Sequence, residues 1–290
     1  MPQLCRPLVP RNSVPGALKR VCYFNYTSGT EFRGTHYNMK KILFSGLLFS
    51  LFTFSGCLED SAPVNDVTIT FKALYDGQPL EKYKLYDYNT YRVQFTRFNA
   101  YMANIALMNG NTPLPLSEIG WVDFTPDSAP TDKAVDVSVT FNNVPEGNYT
   151  GIRLGYGVPA SLNAKQPKDF APGHPLSREN EYWLGWGSYI FNKIEGQVDL
   201  NNNGVFDGGL IYHCGSDAVY REYLFDLPVS VKAGAAEIVV EFDLKKLFVI
   251  NGAWLDLNNP YNHITSNDVA DVVIAKKLMD NFDAATTVKQ

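Results

Sequence analysis

Histidine and cysteine are both scarce here, at four each in 290 residues. Beyond the first 56 residues the histidines are His174, His213 and His263, with no HExxH spacing, which disfavours a zinc hydrolase. No serine stands in a nucleophile-elbow context, so hydrolytic chemistry has no foothold. There is no nucleotide-binding glycine loop, no internal repeat and no long low-complexity linker. An enzyme acting on its own is therefore the least supported class, and the chain reads as non-enzymatic.

Long apolar runs are also lacking, apart from Ile42–Phe54. That run follows a short basic start, Met39-Lys40-Lys41, and precedes Ser55-Gly56-Cys57. A basic n-region, an apolar stretch too short for a comfortable membrane span and small residues before cysteine make a secretory signal of the lipoprotein type. On this reading residues 39–56 are the signal peptide and Cys57 carries the lipid. Residues 57–66 are the lipidated cysteine and its tether, and 67–290 form the folded domain. Residues 1–38, with scattered prolines and basic residues and no periodicity, are set aside as mis-assigned upstream translation and expected to be disordered. Leu58-Glu59-Asp60-Ser61 has two readings: a surface-export signal of the kind some Gram-negative lipoproteins carry, or a solvated linker. The expected location is the cell envelope, anchored to the periplasmic or surface face of an outer membrane.

Seven of the 25 basic residues but one of the 30 acidic residues lie in 1–56. The remainder holds 18 positive against 29 negative side chains, a net charge of −11. So acidic a chain repels phosphate backbones, which disfavours nucleic acid as a partner. Past Cys57, Cys214 is the one remaining cysteine, so no internal disulfide is expected. It reads either as a buried apolar residue or as a soft metal ligand.

The patterning is that of strands. Val67, Ile69 and Phe71 alternate with polar residues, as do Val135, Val137, Val139 and Phe141. Further strands are expected at 91–107, 149–156, 189–194, 220–231 and 236–242, punctuated by Asp76-Gly77, Asn109-Gly110 and Pro145-Glu146-Gly147. This predicts an all-β, antiparallel β-sandwich of immunoglobulin-like two-sheet architecture. One helix, 268–282, is expected near the C-terminus, capped by Ser266 or Asn267.

Two segments carry candidate chemistry. Gly173–Gly196 holds Trp183 and Trp186 three residues apart, flanked by Tyr182 and Tyr189, with Gly185 and Gly187 allowing close approach. It is either an aromatic cover on one end of the sandwich or part of a site. Asp199, Asn201, Asn203, Gly204 and Asp207 follow the early spacing of a calcium loop, but Leu210 stands where the bidentate glutamate belongs. An Asn/Gly-rich turn is the other reading. Tyr212-His213-Cys214-Gly215 then places an imidazole and a thiol at a strand end.

In order, VTITFKALYDGQPL, AYMANIAL, VPEGNYTGIRLGYGVPASLN, GHPL, the tryptophan segment into SYIFNKIEG, YHCG and a helix ending near MDNF resemble the MbnP-like family of copper-binding proteins. The resemblance spans most of the chain after Cys57. It implies a β-sandwich that binds copper, with one tryptophan oxidised to kynurenine by a di-haem, MbnH-like partner enzyme. Carried over, the tryptophan positions fall at Trp183 and at Trp186, although counting back from Tyr189 puts Gly185 at the second, and the strand-end histidine falls at His213. By residue type alone, His174 and Cys214 are further candidate ligands. The spacing here is W-x-x-W, and Glu181 stands where the family commonly has methionine. The competing expectation is a surface binding module for a peptide, glycan or partner protein that uses exposed aromatics.

Overall fold

The structure, a computed structural model, describes residues 21–23, 64–232, 234–259 and 262–290. The segment expected to be a signal peptide, 39–56, and Cys57, the expected lipid-bearing residue, lie outside the described residues. Eleven principal strands and one long helix follow one another. They are β1 (Val64–Tyr75), β2 (Leu85–Tyr88), β3 (Tyr91–Asn109), β4 (Thr112–Asp123), β5 (Val137–Pro145) and β6 (Gly147–Tyr156). Next come β7 (Asn192–Asp199), β8 (Gly208–Cys214), β9 (Arg221–Val231), β10 (Ala236–Asp243), α1 (Val269–Ala285) and β11 (Thr286–Lys289).

The strands form two sheets, as a sandwich requires. The first runs β5-β1-β10-β11, with Val21–Tyr23 parallel to the outer edge of β5, a pairing that the sequence pattern gives no hint of. The second runs β8-β7-β3-β6-β9. Its hub is the 19-residue β3, whose first half lies between β2 and β7 and whose second half lies between β4 and β6. The sandwich is mixed rather than purely antiparallel, because β1 and β10 pair in parallel.

The alternation seen in the sequence puts one face of each sheet into the core. Phe242 of β10 is its centre, in edge contact with Phe98, Phe124, Tyr156 and Phe282 at 5.7 to 6.3 Å between ring centroids. Truncating so enclosed a ring to alanine costs about 3–5 kcal/mol. The helix closes one end of the sandwich through Ile274, Leu278, Met279 and Phe282. It begins at Val269 after Asp268, whose own side chain makes no cap. Of the two expected caps, Ser266 accepts from the Asp268 amide through Oγ at 3.1 Å. Asp271 Oδ2 reaches back to accept from the Thr265 and Ser266 amides, both at 2.8 Å.

The buried core continues onto the outer face of the second sheet. Between β6 and β7 the chain makes a long excursion, residues 157–191, that folds back over β3 and β4. Tyr101 packs on Trp121 at 4.6 Å and on Tyr189 at 5.8 Å, and its hydroxyl donates to the Pro175 carbonyl. Arg178 lies over the Trp121 ring. This layer positions the tryptophans.

Candidate functional site

The tryptophans sit at the tip of the excursion. Tyr182–Trp183 pairs with Ser188–Tyr189 as a two-residue antiparallel ladder, and four residues close the loop. The Trp186 amide donates to the Trp183 carbonyl at 3.0 Å, a single i→i+3 turn. Residues three apart on such a turn share a side. The two indoles accordingly stack, 5.0 Å apart and 7° from parallel. Gly187 leaves the turn at φ 63°, a conformation that costs glycine little. The base of the loop is held by buried Asn163, whose Oδ1 accepts from the Ser188 hydroxyl and the Tyr189 amide.

Gly215 explains how Trp186 comes so close to the end of β8. A Cβ at that position would lie 2.5 Å from the Tyr189 carbonyl oxygen and 3.2 Å from the Trp186 ring. The glycine of Tyr212-His213-Cys214-Gly215 is therefore a contact requirement. At the outer edge of the pair, Trp183 is 43% exposed and Leu184 is 77% exposed.

His213 stands beside this pair, its ring 6.5 Å from Trp183. It lies opposite Lys193 in the β7–β8 register, and Glu195 is two residues further along the same face. Glu195 Oε1 is 2.7 Å from His213 Nε2, while its Oε2 accepts from Arg97 Nε at 3.2 Å. The hydrogen bond from His213, helped by the charges of Arg97 and Lys193, holds the Glu195 carboxyl below its ordinary range against the opposing effect of burial. His213 Nδ1 makes no hydrogen bond to another described residue. On the same face Lys193 Nζ lies 2.9 Å from Glu181 Oε2 and donates to the Asn180 carbonyl at 2.7 Å. Burial pushes the Glu181 carboxyl up, and Lys193 opposes that.

The other candidate residues lie elsewhere. His174 begins a single 3-10 turn, accepts from the Leu176 amide through Nδ1 and stacks on Phe170 at 4.5 Å. Burial draws its pKa down. His263 uses both ring nitrogens, accepting from the Ile211 amide and donating to the Leu257 carbonyl. Cys214 follows His213 directly and so faces the other way, into the core. Burial pushes its thiol up to about 12. Among the described residues no three His, Cys, Asp or Glu side chains gather closely enough to hold a metal ion.

The Asp199–Asp207 segment is the loop between β7 and β8. Asp199 accepts from the Asn203 and Gly204 amides at 3.0 and 2.9 Å and from Arg92 at 2.6 Å. Burial alone would raise its carboxyl, but those three donors together hold it below the ordinary range. Asp207 accepts from the Leu200 amide and from Asn201, and Asn203 accepts from the Val205 amide. All four candidate calcium ligands thus hydrogen-bond within the loop.

Sequence reasoning brought together Trp183, Trp186 and His213, which the structure places side by side. It missed Glu195, Arg97 and Gly215. The register of the β7–β8 hairpin would have exposed the first, since alternation from Lys193 to Glu195 puts both on the face of His213.

A family model described as MbnP matches residues 64–268. Among solved structures, MbnP from Methylosinus trichosporium is similar at 16% identity and a TM-score of 0.46, over 64% of this chain and 78% of that one. No curated protein sequence matches.

Proposed function

This chain belongs to the MbnP family, and from that premise we propose that it is an exported, lipid-anchored protein that binds copper at His213 beside the Trp183–Trp186 pair. The observation that carries the reading is the setting of His213. Its Nε2 is held by a carboxylate at 2.7 Å while Nδ1 makes no hydrogen bond to a described residue. A metal-ligating histidine usually has its second nitrogen oriented in this way by a carboxylate or carbonyl.

The donor set suits a soft ion of low coordination number more than a three-ligand zinc site, given one imidazole, two indoles and no three-residue cluster among the described residues. Copper, as the cargo, would take the imidazole as its fixed nitrogen donor. The chain supplies orientation through Glu195, an apolar wall through the stacked indoles and an approach past exposed Trp183. Of the two tryptophans, Trp183 is the more accessible to the di-haem oxidase that the family resemblance implies. It is therefore the residue proposed for conversion to kynurenine.

Copper(I) titration of the domain against a competing chelator tests the site. One equivalent is expected, with His213→Ala weakening affinity at least about tenfold, or 1.4 kcal/mol. If His213→Ala and Trp183→Phe both leave affinity unchanged, the assignment fails. Intact mass of protein from its native membrane tests acylation at Cys57 and tryptophan oxidation together.

A further inference from the structure

At the other end of the β7–β8 hairpin from the tryptophans lies an open cleft of about 490 Å³. Two aromatic residues, Tyr91 and Trp254, belong to its lining. Tyr91 stacks on buried Tyr88 with centroids 5.3 Å apart and 22° between planes, and Trp254 leans on the same Tyr88 ring at 4.5 Å. Neither ring floats: the Tyr91 hydroxyl accepts from the Leu257 amide at 2.8 Å, and the Tyr88 hydroxyl donates to the Leu255 carbonyl at 2.6 Å.

The rim is polar and close to neutral. Asn89 and Thr90 form the two-residue turn between β2 and β3, and Asn258 faces them from the 254–258 segment. All three are exposed, and their side chains make no hydrogen bond to another described residue. Among the described residues of the lining Asp256 is the one charged group, and one of its oxygens accepts from the Asn258 amide. The walls are tied in place, with Asn202 donating to the Thr90 carbonyl and Asn262 to the Asp256 carbonyl, both at 2.9 Å.

We propose that this cleft is a binding site for a neutral saccharide of one or two hexose units. Its volume falls within the range of small-ligand sites. The π face of an aromatic ring is electron-rich and accepts the weakly positive C–H face of a pyranose. Side-chain amides both donate and accept, as sugar hydroxyls do, so Asn89 and Asn258 match that chemistry without a net charge. An anionic ligand would find no cation among the described residues of the lining. Fixed walls lower the ordering cost that a weakly held sugar must otherwise offset.

The test is an amide-shift titration by NMR of the chain with maltose, cellobiose and chitobiose, with mannitol as an acyclic control. Saturable binding of at least one disaccharide is expected, and no saturable response to mannitol. Trp254→Ala should weaken that binding about tenfold or more, as aromatic anchors commonly do. Because Trp254 also packs on Tyr88, the exposed double variant Asn89→Gly/Asn258→Ala keeps the test valid if the tryptophan variant fails to fold, glycine being at ease at the φ of 53° that Asn89 adopts. The double variant should weaken binding severalfold. His213→Ala should leave it unchanged, which separates this cleft from the copper reading. No saturable shift with any of the three sugars, an equal response to mannitol, or unchanged affinity in the double asparagine variant would overturn the proposal.

Discussion

The two ends of the β7–β8 hairpin spend their polar groups in opposite ways. At the loop end, both oxygens of Asp199 are taken up by two backbone amides and by Arg92, and its side chain is fully buried. About 20 Å away along the strand, His213 is held by Glu195 through one nitrogen, and Trp183 stands 43% exposed. A side chain whose hydrogen-bonding capacity is used internally stabilises the fold and has little left to offer a ligand. One with spare capacity beside exposed aromatic surface adds less to the fold and can bind. The same hairpin therefore predicts a stability end and a binding end, and substitutions can test whether the two are separable.

The largest effect on stability is expected at the closed end. Asp199→Ala removes the acceptor for Asn203 and Gly204 and strips Arg92 of its partner. A drop in Tm of about 5 °C or more is expected by thermal scanning, with copper affinity unchanged. The Asp199 carboxyl titrates below its ordinary 3.8 in the folded state. A depressed carboxylate contributes stability that is intact above that value and is lost as pH falls through the folded value. Asp199→Asn should therefore lose part of the acid sensitivity of the wild-type chain. If Asp199→Ala shifts copper affinity as far as His213→Ala does, the two ends are one unit and the comparison collapses.

A smaller effect separates the layers at the binding end. Lys193 and Glu181 form an ion pair with side chains only 11% and 9% exposed. Losing one partner leaves a nearly buried charge, whereas replacing both by apolar groups is often close to neutral. Lys193→Met should cost about 2 kcal/mol in urea unfolding at neutral pH, and Glu181→Met/Lys193→Met should return to within about 1 kcal/mol of wild type. Because burial raises the Glu181 carboxyl, the folded chain takes up a proton there more readily than the unfolded one. The Lys193→Met deficit should therefore shrink as pH falls and the carboxyl becomes neutral. A deficit that grows with acid, or a double variant as unstable as the single, would show that the pair does more than neutralise itself.

Much of this architecture is legible in the sequence, and what is not has physical reasons. Alternation locates β1, β3, β6 and β10 because each has one buried face. It does not locate β4, where Pro113 and Pro115 argue against a strand. The structure accommodates them because β4 pairs with β3 alone, so a missing amide hydrogen on its free side breaks no ladder. The parallel pairing of β1 with β10 joins residues some 170 positions apart and leaves no local trace. At the site, Trp183, Trp186 and His213 were recognisable by type and by the family resemblance. Cys214 entered the same list by type, yet strict alternation already sends it to the face opposite His213. Glu195 was invisible because its role depends on which strand lies beside β7.

The smallest expected change is the one that bears most on the comparison. His213 and Glu195 have side chains 15% and 31% exposed, so their contact is partly solvated. Partly exposed pairs contribute about 0.2–1 kcal/mol. Removing the imidazole leaves Glu195 still paired with Arg97 at 3.2 Å, so no charge is stranded. His213→Ala should accordingly change unfolding free energy by less than about 1 kcal/mol, while its effect on copper affinity is the largest of any variant in the hairpin. Urea unfolding of the metal-free chain, with and without His213, measures the first quantity apart from the second. A loss of several kcal/mol without metal would mean that His213 is held for the fold, as Asp199 is, and the distinction between the two ends would fail. A negligible loss would leave an oriented imidazole beside stacked indoles that the fold itself does not need, and such a group is retained for what it binds.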